Sequence, residues 1–309
     1  MVTAIPPLSD SEKLEFGPAV TSVQPSASAS IVIASYNIRY ARGPHLISGG
    51  LVRKVGLMSL KQRPAFIAKQ ISRAAKAFSA GKLLPPPDVL LLQEADKRTA
   101  RAGGHHVARE LATQLKMNWV HAPAGIPRGI KPVQRQWWLD FEEPIGLNDP
   151  GDTGVAFLSR LPVSELTRID LPWHECPWRP RLAIAATVTF ANQKLRIFNA
   201  HVDPHAAVHG QLAQLEVIAE EAERSSIPSL VLGDFNTLSK KKSIETRAFL
   251  ESRGYSTPFP TGTPTWRGAG LRLHADWIFG RGISVKRWGV AKPLSVSDHW
   301  PIWVEVGTN

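Results

Sequence analysis

The chain has 309 residues, 43% of them hydrophobic, and a net charge of +11, which excludes a fibrous or wholly disordered protein and leaves room for one or two domains with a sizeable core. No run reaches the roughly eighteen apolar residues of a membrane span, and no basic stretch followed by an apolar core opens the chain, so neither a transmembrane segment nor a secretory signal is expected. The single cysteine, Cys176, excludes an intrachain disulfide and fits a reducing, cytoplasmic compartment.

Residues 1–29 are rich in Ser, Pro and Ala without periodicity and are expected to form a disordered tail, leaving residues 30–309 as the folded domain. IVIASYNI, 31–38, reads as a strand, and residues 41–62, Gly-rich and basic, as an excursion. Between Glu15 and Asp88 there is no acidic residue, while residues 39–82 carry ten basic ones, including Arg53, Lys54, Lys61 and Arg63. Nearly the whole charge surplus lies there, and such a segment attracts polyanions: nucleic acid, an anionic lipid surface or phosphorylated small molecules. Over 63–79, Ile67, Ile71, Ala74, Ala75 and Phe78 recur at helical spacing. PPPDVLLLQEAD turns into a buried strand ending on Gln93-Glu94. Residues 106–115 read as a short helix, TGVAFLSR as a strand, and RLAIAATVTF and KLRIFNAHVD as two strands around the turn 191–193. A helix over 211–222 precedes the strand SLVLGDFN, and a second over 243–252 follows it. LHADWIFG, ISVKRWGVA and HWPIWVEV complete the set. Strands outnumber helices and are often joined by short turns, which predicts a mixed, largely antiparallel α+β sandwich.

Polar residues collect where these strands end. Asn37 closes the first and Glu94 the second; His201 and Asp203 follow LRIFNA; Asp234 and Asn236 end LVLGDFN. Asp276 lies inside LHADWIF, and Asp298-His299 precedes the last strand. In isolation GDFN is accounted for by a turn, since Asp and Asn side chains bond nearby backbone. Six such endings point to a shared rim of acids, amides and imidazoles.

In their order, SYN (35–37), LLQE (91–94), GVAFLSRLPV (154–163), NAHVD (199–203), GDFN (233–236), ADWIF (275–279) and SDH (297–299) resemble the endonuclease/exonuclease/phosphatase superfamily, on its deoxyribonuclease and sphingomyelinase-like side. The resemblance spans about residues 31–306 and implies a four-layered α/β/β/α sandwich. It implies a divalent-metal-dependent phosphoesterase using Mg²⁺ or Mn²⁺, ions that hard carboxylate and amide oxygens suit. Glu94 is the first metal ligand it implies, with Asn37 in support and Asp298 at the same or an alternative position. Asp234 would orient and deprotonate the attacking water, and Asn236 would hold that water or a phosphate oxygen. His299, its other ring nitrogen held by Asp276, would bond a phosphate oxygen. His201 matches the branch with a second histidine, which donates to a phosphate or leaving-group oxygen.

Several readings stay open. Asp276 also fits a core hydrogen-bonding acid, and Asp298 a loop brace. Arg181 resembles an arginine that touches substrate phosphate; a surface salt bridge accounts for it equally. His201, His205 and His209 fall at i, i+4 and i+8, but Pro204 breaks a helix there. No tyrosine lies mid-chain, only Tyr36, Tyr40 and Tyr255, which counts against an abasic-site repair enzyme. Loops 41–62, 121–152 and 171–180 are expected to frame the pocket. The last two interleave Arg128, Lys131, Arg135, Arg179 and Arg181 with Trp137, Trp138, Trp173 and Trp178, a mixture suited to stacking bases or to meeting a lipid surface. A nuclease or related phosphodiesterase is the leading reading, acting as a monomer on a phosphoester substrate, with nucleic acid preferred. A phosphatase or sphingomyelinase-like lipid phosphodiesterase is the alternative enzyme, and a catalytically silent polyanion-binding scaffold the alternative of another class.

Overall fold

The computed structural model of the chain describes residues 14–17, 28–44, 62–128, 143–172, 180–268 and 270–307. In chain order these form β1 (Glu15–Phe16), β2 (Ser30–Asn37), α1 (Arg63–Ala80), β3 (Val89–Gln93), α2 (Val107–Leu115), β4 (Asn118–Pro123), β5 (Gly154–Ser159), β6 (Val163–Asp170), β7 (Leu182–Phe190), β8 (Gln193–His201), α3 (Val208–Glu223), β9 (Ser229–Asp234), α4 (Lys240–Ser252), β10 (Trp266–Gly268), β11 (Leu271–Leu273), β12 (Asp276–Arg281), β13 (Ser284–Val290) and β14 (Ile302–Gly307). A short 3-10 turn, Arg39–Ala41, follows β2.

A seven-stranded sheet runs β1-β4-β5-β3-β2-β14-β13 and a five-stranded sheet β12-β9-β8-β7-β6. Alternation along the central strands builds the layers. Ile31, Ile33, Val89 and Leu91 face the second sheet, where they join Ala183, Ala185, Ile197 and Val231. Their neighbours Ala34, Tyr36, Leu90 and Leu92 face the other way, onto Ile67, Ile71 and Phe78 of α1 and Leu111 of α2. Leu215, Ile218 and Ala219 of α3 and Leu250 of α4 pack on the five-stranded sheet. The expected four-layered, largely antiparallel sandwich is the one observed.

Two pairs depart from antiparallel order: β2 with β3, and β8 with β9. Each pair is joined by a crossover helix, α1 or α3, because parallel neighbours cannot be linked by a tight turn. The consequence is functional. Parallel strands end on one edge, so Asn37 and Gln93 come into register, as do His201 and Asp234. The sheets are locked together just below that edge. Asn199 Nδ2 donates to the carbonyls of Leu92 at 3.0 Å and Ala156 at 2.9 Å, while Gln93 Nε2 donates to Asn199 Oδ1 at 2.6 Å. Gly233 permits the close approach of β9 to β8: its φ is 141°, and a Cβ there would lie 2.0 Å from the Ala200 carbonyl oxygen.

The structure adds three features to this reading. Within the stretch read as tail, Glu15 and Phe16 pair with His121 and Val120 of β4, and Glu15 contacts Lys97 and His106. Strands β4 and β6 were not anticipated, because NWVHAP lacks clean alternation and β6 is largely exposed or half-buried. Two cations of the basic segment, Arg42 and Arg63, both pair with Glu143, a partner distant in sequence. Arg53, Lys54 and Lys61 lie outside the described residues.

Candidate active site

Asp234, at the end of β9, is 1% exposed and is the hub of the rim. Its Oδ2 accepts a 2.8 Å hydrogen bond from Asn37 Nδ2. The Nε2 atoms of His201 and His299 each lie 3.7 Å from the same oxygen. That distance is beyond direct hydrogen-bond range, and it groups the two imidazoles about one carboxylate oxygen. Asp234 Oδ1 accepts the backbone N–H of Asn236 at 2.9 Å. Asn236 sits at φ 52° and donates its side-chain amide to the Val202 carbonyl at 2.9 Å. Its visible work is therefore to fix the turn that aims Asp234.

Antiparallel pairing of β12 with β9 sets Asp276 opposite Asp234. Thr265 Oγ1 accepts the N–H groups of Ala275 and Asp276, both at 3.0 Å. The Asp276 carboxylate holds His299 Nδ1 at 2.9 and 3.1 Å. Burial opposes a charge on His299, but Asp276 and then Asp234 outweigh it and lift its pKa to about 10. Burial raises the Asp234 carboxyl to about 7; His299 pulls against this, Asp276 adds to it, and the bonds from Asn37 and Asn236 oppose it. One carboxylate oxygen each of Asp234 and Asp276 and one ring nitrogen of His299 lie within 4.8 Å of one another.

On the other side, Glu94 follows β3 at φ 48°, a left-handed conformation costly for a residue with a Cβ. Asn37 Nδ2 reaches Glu94 Oε1 at 3.2 Å, and His201 Nε2 lies 4.0 Å from it. Glu94 Oε2 is buried with no hydrogen-bond partner. Thr153 Oγ1 and Arg181 Nε are in the same condition, and all three residues line one cleft with His201, Val155 and Leu182. Arg181 is 7% exposed, and its Nη1 lies 2.9 and 3.0 Å from the two ring nitrogens of His201; it makes no salt bridge among the described residues. Buried polar atoms without partners cost about 1–3 kcal/mol each. A carboxylate oxygen, a guanidinium N–H and a hydroxyl left so in one cleft are what a bound cation with its anionic ligand would satisfy.

The structure thus brings Asn37, Glu94, Arg181, His201, Asp234, Asp276 and His299 to one rim. Asp298, next to His299, is engaged by side chains of its own surroundings. Its Oδ2 accepts Arg39 Nη1 at 2.9 Å and Trp266 Nε1 at 3.1 Å, and its Oδ1 accepts Ser297 Oγ at 3.1 Å, so both oxygens are occupied. These bonds fit the loop-brace reading of Asp298. Sequence reasoning missed Thr153, Arg39 and Thr265: Thr153 directly precedes the GVAFLSR motif, but nothing in sequence marks the partners of the other two. Of the pocket-framing side chains, Arg128 is turned onto the carbonyls of Ile126 and Gly151, while Lys131, Arg135, Trp137, Trp138, Trp173, Trp178 and Arg179 lie outside the described residues. Gln211 and Gln214 bond the carbonyl and N–H of Asp203 at 2.8 and 2.9 Å, steadying the loop after His201.

Comparison with known proteins places this geometry. No curated protein sequence matches the chain. Among solved structures, an endonuclease/exonuclease/phosphatase from Beutenbergia cavernae DSM 12333 superposes with a TM-score of 0.62 at 15% identity, covering 91% of this chain and 72% of that one. The human Nocturnin catalytic domain with bound sulfate gives 0.57 at 16% identity, covering 93% and 100%. ANGEL2, a 2',3'-cyclic phosphatase in complex with adenosine-2',3'-vanadate, gives 0.56 at 12% identity, covering 90% and 95%. At these identities the likeness is one of fold. The sequence itself matches the Endonuclease/Exonuclease/phosphatase family over residues 34–299, a span from the middle of β2 to His299, and the chain therefore belongs to that family of phosphoester hydrolases.

Proposed function

We propose that this chain is a divalent-metal-dependent phosphodiesterase, with nucleic acid as its preferred substrate, that hydrolyses its ester with a water activated at Asp234. The observation that carries the reading is the placement of two imidazole Nε2 atoms at 3.7 Å from one carboxylate oxygen, beside a buried carboxylate oxygen of Glu94 that has no partner. Family members are in general divalent-metal dependent, and the donors among the described residues of the cleft fit Mg²⁺ or Mn²⁺, since oxygens predominate there. Glu94 would hold the ion, with Asn37 aligning it. When bound, such an ion supplies charge neutralisation at the phosphoryl oxygens. Asp298, its oxygens engaged, is assigned to bracing Arg39.

The chain's own groups do the rest. Asp234, raised by burial to about 7, is a base matched to neutral pH and takes the proton of the attacking water. His299, a cation held by Asp276, donates Nε2–H to a non-bridging phosphate oxygen whose charge grows in the transition state. Arg181 and Thr153 present N–H and O–H to the same phosphate, and His201, against Arg181, serves the leaving oxygen. Asn236 keeps Asp234 aimed. A complete set of acids and imidazoles argues against a silent scaffold. The preference for nucleic acid rests on the net charge of +11 and on the nucleoside vanadate held by ANGEL2.

The test is a substrate panel with Mg²⁺ and with EDTA: plasmid DNA, single-stranded DNA, RNA, sphingomyelin, inositol phosphates and bis-p-nitrophenyl phosphate. We expect turnover of nucleic acid and of the small diester with metal and none with EDTA. Turnover of sphingomyelin or inositol phosphates alone would replace the substrate assignment.

A further inference from the structure

We infer that a basic track beside His299, formed by Arg267, Arg272 and Lys292, binds the backbone phosphates of the nucleic-acid strand that flank the scissile one. The inference rests on the phosphodiesterase reading above and adds a surface to it.

Hairpin β10–β11 places Arg267 directly opposite Arg272. Like charges facing each other across a strand pair destabilise it, so the hairpin carries this pair at a loss to its own stability. Lys292 joins them: its ammonium is 4.5 Å from the centre of the Trp300 ring, and the Arg267 guanidinium carbon is 5.3 Å from the same centre. The Lys292 pKa is lowered by burial and by the charge of Arg272, as expected for crowded cations. None of the three forms an ion pair with a carboxylate among the described residues. Arg267 Nε is buried without a partner, and its Nη2 makes one long contact, 3.4 Å, to Ser295 Oγ.

The track is tied to the catalytic rim by the backbone. Arg267 N donates to the Asp298 carbonyl at 2.9 Å, Trp266 forms a bridge with His299, and Trp300 is the residue after His299. Trp300 is 5% exposed and serves as a platform that fixes two cations without neutralising them. This contrasts with Arg39, Arg42 and Arg63, whose charges are matched by Asp298 and Glu143. Three uncompensated cations beside a phosphate-binding imidazole complement a chain of phosphates that continues past the scissile bond. A lipid surface is the poorer match, because the track carries one large exposed apolar side chain, Leu271, where interfacial binding needs a buried apolar face.

The test uses the full chain in EDTA, so that binding is read without hydrolysis. Fluorescence anisotropy of a labelled single-stranded 20-mer is followed from low to moderate salt. R272E/K292E alters two exposed side chains; its melting temperature controls for folding, and R272Q/K292Q gives a milder version. We expect R272E/K292E to weaken binding at low salt at least about tenfold and to flatten the slope of log K against log salt by roughly 1.4, at about 0.7 per single-strand phosphate. R272Q/K292Q should fall between it and the unaltered chain. Lys194→Glu, at the start of β8 and at the opposite end of that strand from His201, should leave both quantities unchanged. Unchanged affinity and slope in R272E/K292E would overturn the inference. So would a loss of binding to phosphatidylserine vesicles with oligonucleotide binding intact. If the unaltered chain fails to hydrolyse bis-p-nitrophenyl phosphate with Mg²⁺ yet shows the predicted binding changes, the catalytic reading falls and the track stands.

Discussion

Asp234 and His299 place opposite demands on pH. Burial lifts Asp234 to about 7, and as the proposed base it must be ionised, so kcat/KM should fall as pH drops below about 7. In the proposed mechanism His299 keeps its proton to donate to phosphate. Burial disfavours that proton, but Asp276 and then Asp234 hold it up to about pH 10, so activity should fall again above about 10. Asp276→Asn removes the largest of the attractions on His299 and should move the alkaline limb to lower pH. The acid limb should also move down, because the charge of Asp276 raises Asp234. The kcat/KM profile of the variant on a small diester reports both limbs; an alkaline limb that stays in place would show that the His299 proton is not used. At this scale the sequence was most informative about chemistry and least about partners. GDFN and SDH mark Asp234 and His299 as the candidates for the chemistry proposed. That Arg39 would occupy Asp298, or that the amide of Asn236 would turn to Val202, depends on contacts between residues far apart in the chain.

The strand ends converge because two parallel pairs, β2–β3 and β8–β9, finish on one edge, and because the sheets are pinned to each other beneath it. Asn199 makes that pin. Its amide group donates to carbonyls of the facing sheet at 3.0 and 2.9 Å, and its oxygen accepts Gln93 at 2.6 Å. Asn199→Ala would leave buried groups unsatisfied, each costing about 1–3 kcal/mol. We predict a loss of about 2–4 kcal/mol in urea unfolding, with a fall in activity well beyond the unfolded fraction, because Asn37 and Glu94 stand on one sheet and His201 and Asp234 on the other. Unchanged stability would mean that the pin is dispensable. Strands such as VLLLQ and SLVLGD were evident from their buried runs. Asn199 was read as one letter of NAHVD, since an amide inside a strand gives no sign of which sheet it will bond. β4 and β6 were missed because an edge-side or half-exposed strand need not alternate cleanly.

For the molecule as a whole, charge and chemistry have to be separated. The surplus of positive charge was read as one basic segment; within the described residues part of that segment is neutralised by Glu143, and uncompensated cations stand instead on the β10–β11 hairpin and at Lys292. No helix among the described residues is long and apolar enough to cross a membrane. The α/β/β/α layering was readable because strand count, turn lengths and motif order agree with one another; the loops that frame the cleft were read only by composition, which does not fix a loop's path. What joins residue, strand and surface is the claim that the rim around Asp234 hydrolyses phosphodiesters with metal assistance. The most direct test is the single-turnover rate on bis-p-nitrophenyl phosphate with Mg²⁺, comparing the unaltered chain with Asp234→Asn and His299→Ala, their folding checked by circular dichroism. Positioned acid–base groups are worth roughly 10²–10⁴ in rate, so each variant should lose at least about a hundredfold while keeping its fold. Near-unaltered rates from a folded Asp234→Asn or His299→Ala, or full activity of the unaltered chain after removal of all metal, would contradict the account.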